Sequence, residues 1–328
     1  DTLTKLTPEM RRAMYEAEVG DESLREDPTV HHLENIAAQM LGKEAALVVA
    51  SGRMGNLVCA LTRCQRGDEM LVGSIAHVYM YERGGASTLG AIHLRTVPDE
   101  QGIPAPADIE KALADEEGHC TLVCLENSHN LTGGIAVSPE DTASVAAVAR
   151  RHGVPIHLDG ARIFNAAVAL KLPVSHLTKD VDSVTFCLSK GLGCPIGSVV
   201  CGPREFIDRA RTYRSMLGGG MRQLGVIAAT GIVALETMVD RLVEDHANAR
   251  RLAEGLAQVQ GICIDPSRVQ TNILFFEVGD RSNKQMVDAL ARQGVLSLAV
   301  GHRVRMTTHY HITPQDVERT LQAVHQAM

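Results

Sequence analysis

The chain has no tryptophan, and its aromatic residues make up only 3% of 328 positions. So few rings leave no stacking platform for single-stranded nucleic acid. No apolar run reaches the roughly 18 residues that a membrane-spanning helix needs, and no charged stretch followed by an apolar one opens the chain. The eight cysteines form no CxxC pair. They sit in apolar or strand-like runs, as small buried hydrophobes do in a reducing compartment, which speaks against a disulfide framework or a zinc site. Neither GxGxxG nor GxxxxGK[ST] occurs, which argues against dinucleotides and P-loop nucleotides as ligands. Lys and Arg are scattered against a net charge of −7, so no basic face is offered to nucleic acid or an anionic membrane. The expected partner is a small molecule and the expected location the cytoplasm; a start at Asp1, without methionine, leaves organellar import open.

What is present is a globular α/β pattern, 45% apolar. Continuous apolar runs at 45–50 (AALVVA), 121–125 (TLVCL), 154–158 (VPIHL), 183–188 (SVTFCL) and 198–201 (SVVC) predict strands buried on both faces, as in a parallel sheet. Helical patterns alternate with them. One starts at Asp27 as N-cap with Pro28 in its first turn and stops at Gly42, and another covers 139–152 before Gly153. A long helix is predicted over 221–257, with Gly225 and Gly231 as weak points. A strand at 272–278, a helix at 283–293, a strand at 304–307 and a helix from Pro314 follow. The expectation is a large domain over residues 1–235 and a smaller α+β domain over 236–328.

In open α/β sheets ligands collect beyond the carboxyl ends of the strands, so polar residues just after the apolar runs are the candidates. Lys190, in SKGLGCPIGS after SVTFCL, is placed to be desolvated and to act as an amine nucleophile toward an aldehyde; the plain alternative is an exposed lysine at a strand end. Asp159 closes VPIHL, one βαβ unit before Lys190, so both can face one crevice. A helix N-cap is the alternative for this aspartate. A carboxylate that keeps a pyridine nitrogen protonated and a lysine that forms an imine are what pyridoxal-phosphate chemistry asks of a protein. ASGRMGN follows AALVVA, and free N–H groups at that helix start favour a phosphate, with Ser51 either adding its hydroxyl or capping the helix. LGGGMRQ at 217–223 brings Arg222 as a candidate phosphate cation. His309 and His311 in THYH have no third ligand at recognisable spacing, and no metal is expected.

Taken in order, EDPTV (26–30), GKEAAL (42–47), LENSHN (125–130), HLDGARIFNAAVA (157–169), CLSKGLGCPIGS (187–198), LGGGMRQ, EDHANA (244–249) and VRMTTH (304–309) resemble the low-specificity threonine aldolases, in the β-eliminating lyase group of fold type I pyridoxal-phosphate enzymes. The resemblance covers nearly the whole chain. It implies a mostly parallel seven-stranded sheet sandwiched by helices, as in aspartate aminotransferase, and retro-aldol cleavage of threonine or allo-threonine to glycine and an aldehyde. Alternatives are β-elimination or transaldol chemistry on a related amino acid, or a weakened paralogue that binds the cofactor.

The resemblance also assigns roles. Lys190 carries the cofactor as a Schiff base, Asp159 pairs with its ring nitrogen, and His77 in AHVYMYE stacks on the ring. Ser51, Gly52, Arg53 and Arg222 hold the phosphate, and Arg162 helps hold the cofactor or the substrate carboxylate. Arg305 clamps that carboxylate, while His129 lies near the substrate hydroxyl; for both histidines a satisfied turn or core position is the alternative. A homodimer or homotetramer with active sites at the interface is implied as well. The chain departs from the family at Ser23, Leu24 and Arg25, where valine, tyrosine and glycine are usual, at Arg53, where threonine is usual, and at Leu6, where proline is common.

Overall fold

A computed structural model describes residues 1–115, 118–279 and 282–328. Seven strands form the central sheet: β1 Ala45–Val49, β2 Glu69–Gly73, β3 His93–Val97, β4 Cys120–Glu126, β5 Ile156–Asp159, β6 Ser183–Cys187 and β7 Ser198–Gly202. Their order is β1-β7-β6-β5-β4-β2-β3. Pairing is parallel from β6 through to β3, whereas β7 runs antiparallel to both β1 and β6. All five apolar runs are strands of this sheet. The runs did not mark β2 and β3. β3 (HLRTV) lies at the sheet edge and is largely uncovered, so it has no reason to read as apolar.

Several helices begin where a side chain satisfies free N–H groups. Asp27 accepts from Val30 N at 3.0 Å ahead of helix Pro28–Met40. Ser138 accepts from Asp141 N ahead of Pro139–Arg151, and Ser51 from Met54 N ahead of Gly52–Arg63. The long helix expected over 221–257 is instead broken into Gly225–Val233, a π turn at Ala234–Met238, and Leu242–Leu256. The parts differ in what they bury. Leu235, Met238 and Leu242 pack into the core of the large sheet, whereas Ala249, Leu252 and Leu256 pack into a second core, and helix Leu242–Leu256 passes from one to the other. That second core lies against an antiparallel sheet of β8 Ile262–Cys263, β9 Ile273–Val278, β10 Leu298–Val300 and β11 Arg303–Thr307, in the order β10-β11-β9-β8. Helices Asn283–Arg292 and Pro314–Ala327 cover it, the latter closed by a Thr313–Asp316 capping box. Among the described residues no helix is long and apolar enough to cross a membrane.

Candidate active site

Side chains alternate across a strand, so β4, β5 and β6 each present every second residue to one face. The register aligns Cys124 and Glu126 of β4 with His157 and Asp159 of β5, and these with Ser183 and Thr185 of β6. On that buried face lies helix Gly52–Arg63, brought unusually close by two glycines. A Cβ on Gly55 would meet Thr185 Cγ2 at 2.6 Å, and one on Gly52 would meet Cys187 Sγ at 2.8 Å. The close approach sets the helix start over the carboxyl end of β6 and pushes Asn56 against Asp159.

Asp159 is buried at the end of β5. Its Oδ2 accepts from Asn56 Nδ2 at 2.9 Å and its Oδ1 from Ala161 N at 3.1 Å. Lys190 follows the end of the neighbouring parallel strand β6, in a turn whose Lys190 carbonyl accepts from Thr4 Oγ1 at 3.0 Å. Adjacent strands are about 4.8 Å apart; Asp159 is in register with Thr185, and Lys190 lies three residues beyond the end of that strand.

His77 opens the short helix His77–Tyr81. Its backbone N–H donates to Glu126 Oε2 at 2.6 Å, and its Nδ1 lies 3.2 Å from Glu82 Oε1 and 4.0 Å from Asp159 Oδ2. Burial pulls the His77 ring toward neutrality, but the hydrogen bond to Glu82 and the charges of Asp159 and Glu126 outweigh it, so its pKa is raised. Burial, aided by the Asp159 charge, likewise raises the Glu82 carboxyl. His77, Glu82 and Asp159 have ligand-type atoms within 4.8 Å of one another. An amide already joins the two acids, because Asn56 Nδ2 donates to Glu82 Oε1 as well, at 2.9 Å. His129 is buried, with Nε2 2.9 Å from Asp99 Oδ2 and 3.9 Å from Glu126 Oε2, while its Nδ1 is buried without a partner. Here too burial opposes the charges of Glu126 and Asp99, and the charges win, raising the pKa.

The remaining candidates divide. Arg162 donates through Nε and Nη2 to the Asp1 carboxylate at 2.7 and 2.6 Å, and Asn272 Nδ2 donates to the same carboxylate at 3.0 Å. Arg305 donates to Asn130 Oδ1 at 2.9 Å, and its buried Nε has no partner. Burial and the nearby Arg162 charge pull Arg305 down to about 10, which leaves it cationic at neutral pH. Ser51 is a helix cap, the alternative left open by the sequence, and Gly52 and the exposed Arg53 start the helix beside it. Ser198 Oγ, fully buried opposite Gly52, has no partner. Arg222 is exposed and engaged by Asp21, at 3.1 Å, and by Ser23. His309 and His311 lie in a turn beyond β11, and His311 Nε2 already accepts from Lys5 N at 3.0 Å.

Asn56, Glu82, Asp99, Glu126 and His157 belong to this site and were not singled out from the sequence. The one available signal was the alternation in HLD, which puts His157 on the same strand face as Asp159. The departure at Arg25 has a backbone signature, since this residue is left-handed at φ 60°, a conformation in which glycine carries no Cβ penalty. Leu24 beside it is exposed.

Comparison with known proteins identifies the family. Residues 1–279 match the family model described as beta-eliminating lyase. Low-specificity L-threonine aldolase 1 of Arabidopsis thaliana is 45% identical over 339 residues, spanning 100% of this chain and 95% of that protein. The low specificity L-threonine aldolase of Escherichia coli K12 is 39% identical over 321 residues, spanning 97% and 94%. Among solved structures, the threonine aldolase of Leishmania major superposes with a TM-score of 0.84 at 18% identity, covering 99% of this chain and 97% of that one, a likeness of fold. With one family model matched over most of its length and relatives this similar from end to end, the chain belongs to the β-eliminating lyase family.

Proposed function

We propose that this protein is a pyridoxal-phosphate-dependent threonine aldolase that splits L-threonine or L-allo-threonine into glycine and an aldehyde. The observation that carries the reading is the pair Asp159 and Lys190 at the carboxyl ends of adjacent strands, under a helix start held tightly to the sheet. The residues present fit the cofactor. Lys190 supplies the anchoring amine, Asp159 the partner of the ring nitrogen, and His77 a ring for its face. The N–H groups of Gly52 and Arg53, with the unpartnered Ser198 hydroxyl close by, suit its phosphate. When bound, the cofactor supplies a ring that takes up the electron pair released as Cα–Cβ breaks.

The protein's own groups do the rest. Asp159 holds a proton at the ring nitrogen. Arg305, a planar two-pronged cation, fixes the substrate carboxylate and so decides which bond at Cα is aligned to break. Arg162, gripped by Asp1, adds charge beside it. His129, with Nε2 held by Asp99, has Nδ1 available to take the β-hydroxyl proton as the aldehyde's C=O forms. A proton returned to Cα completes glycine. Arg222 reaches a phosphate in this reading only from a neighbouring copy, in a homodimer or homotetramer. The exposed Tyr79 and Met80, just after His77, support such packing. The division at 235/236 is part of the same reading, supported by the two separate apolar cores, with Met238 and Leu242 still packed on the first.

Product analysis of the cofactor-loaded protein tests this. Glycine released from L-threonine or L-allo-threonine is the expected result. A keto acid with ammonia from these substrates or from L-serine establishes elimination instead, and no turnover leaves a binding paralogue.

A further inference from the structure

Beneath Asp159 runs a line of buried side chains that the mechanism above does not use. The Asn56 NH₂ group donates to both Asp159 Oδ2 and Glu82 Oε1, each at 2.9 Å. Its Oδ1 therefore faces the other way, 3.1 Å from His157 Nε2, which must carry a hydrogen to donate. His157 Nδ1 is then bare and accepts from Ser183 Oγ at 3.0 Å. Each step fixes the next, and all three residues are buried. Ser183 and His157 are register partners on β6 and β5, and His157 is two residues from Asp159, so one strand face aligns them.

We infer that Ser183, His157 and Asn56 form a one-directional relay of positioning residues that orients the Asp159 carboxylate for the cofactor's ring nitrogen. This rests on the proposed role of Asp159. The Asn56 NH₂ group, tied to Asp159 Oδ2 and Glu82 Oε1, bridges the two acids and fixes the carboxylate's orientation. Complete burial holds the His157 ring down to about 4, so the histidine is neutral. An imidazolium there would weaken the pull of Asp159 on the ring proton; a neutral ring passes on orientation without charge.

Nitrogen NMR of the full-length, cofactor-loaded protein tests the relay. In the unsubstituted protein His157 is expected as the neutral tautomer with hydrogen on Nε2, and a hydrogen on Nδ1 overturns the relay alone. With ¹⁵N-labelled cofactor, the ring nitrogen is expected to be protonated; an unprotonated nitrogen overturns the Asp159 reading itself. His157→Gln keeps a donor for Asn56 and should retain ring protonation. His157→Leu and Asn56→Leu should lower the protonated fraction and weaken cofactor binding by about tenfold, the equivalent of one pKa unit. Identical behaviour of the Gln and Leu variants overturns the proposal. Should the Leu variants fail to fold, the tautomer in the unsubstituted protein decides.

Discussion

The two faces of the central strands carry opposite cargoes. One face of β4, β5 and β6 presents Val123, Leu125, Ile156, Leu158, Val184 and Phe186, all in the main apolar core. The other presents Glu126, His157, Asp159, Ser183 and Thr185, all buried and polar, beside the apolar Leu122 and Cys124 of β4. The same backbone therefore supports stability on one side and chemistry on the other, separated by nothing more than the pleat. A buried polar face is tolerable because nearly every group on it has a partner.

Substitutions can break or sharpen that contrast. The largest effect is expected at the mouth of the polar side: Lys190→Ala should abolish the visible absorption band of the bound cofactor and lower glycine formation by about three orders of magnitude or more, with far-ultraviolet circular dichroism unchanged. A retained band would remove Lys190 from its role. On the apolar side, Phe186→Ala should cost about 3–5 kcal/mol of unfolding free energy in urea, since its ring packs edge-on to Phe164 at 5.2 Å. The cofactor spectrum of the folded protein should stay as it was, and a large spectral change would mean that the two faces are not independent. Gly55→Ala probes the seam between helix and sheet. Its methyl group would meet Thr185 Cγ2 at 2.6 Å, so about 1–3 kcal/mol of stability should be lost, together with weaker cofactor binding measured by fluorescence titration. The smallest effect is expected furthest from the sheet. Arg305→Lys keeps the charge but loses the fork, and should raise KM by about tenfold with a smaller change in kcat; an unaltered KM would argue against the carboxylate clamp.

The sequence revealed most of the buried sheet but missed β2, which is buried yet has only Met70, Leu71 and Val72 as an apolar run between Glu69 and Gly73. β1, β4, β5, β6 and β7 all appear as apolar runs, while β3 at the edge does not, because partial exposure relaxes the demand for apolar side chains. The same rule explains the site. Lys190, Asp159 and Ser51 stood out as polar residues directly after buried runs. His157 hid inside such a run, and Glu82 in YMYERGG reads as an ordinary surface acid. Their roles come from contacts between distant parts of the chain, Asn56 with Asp159 and with His157, which no local pattern encodes. The break at Ala234–Met238 was invisible because local periodicity continues through it.

Helix Gly52–Arg63 offers its free N–H groups at one end and, a turn later, its Asn56 amide to Asp159. In the proposed function, anion grip and proton inventory would thus be mounted on one rigid lever. A change that lifts this helix by a fraction of an ångström should then loosen the cofactor and blunt its electron-withdrawing power together. Attempts to tune affinity separately from reactivity will therefore succeed only through residues outside this helix.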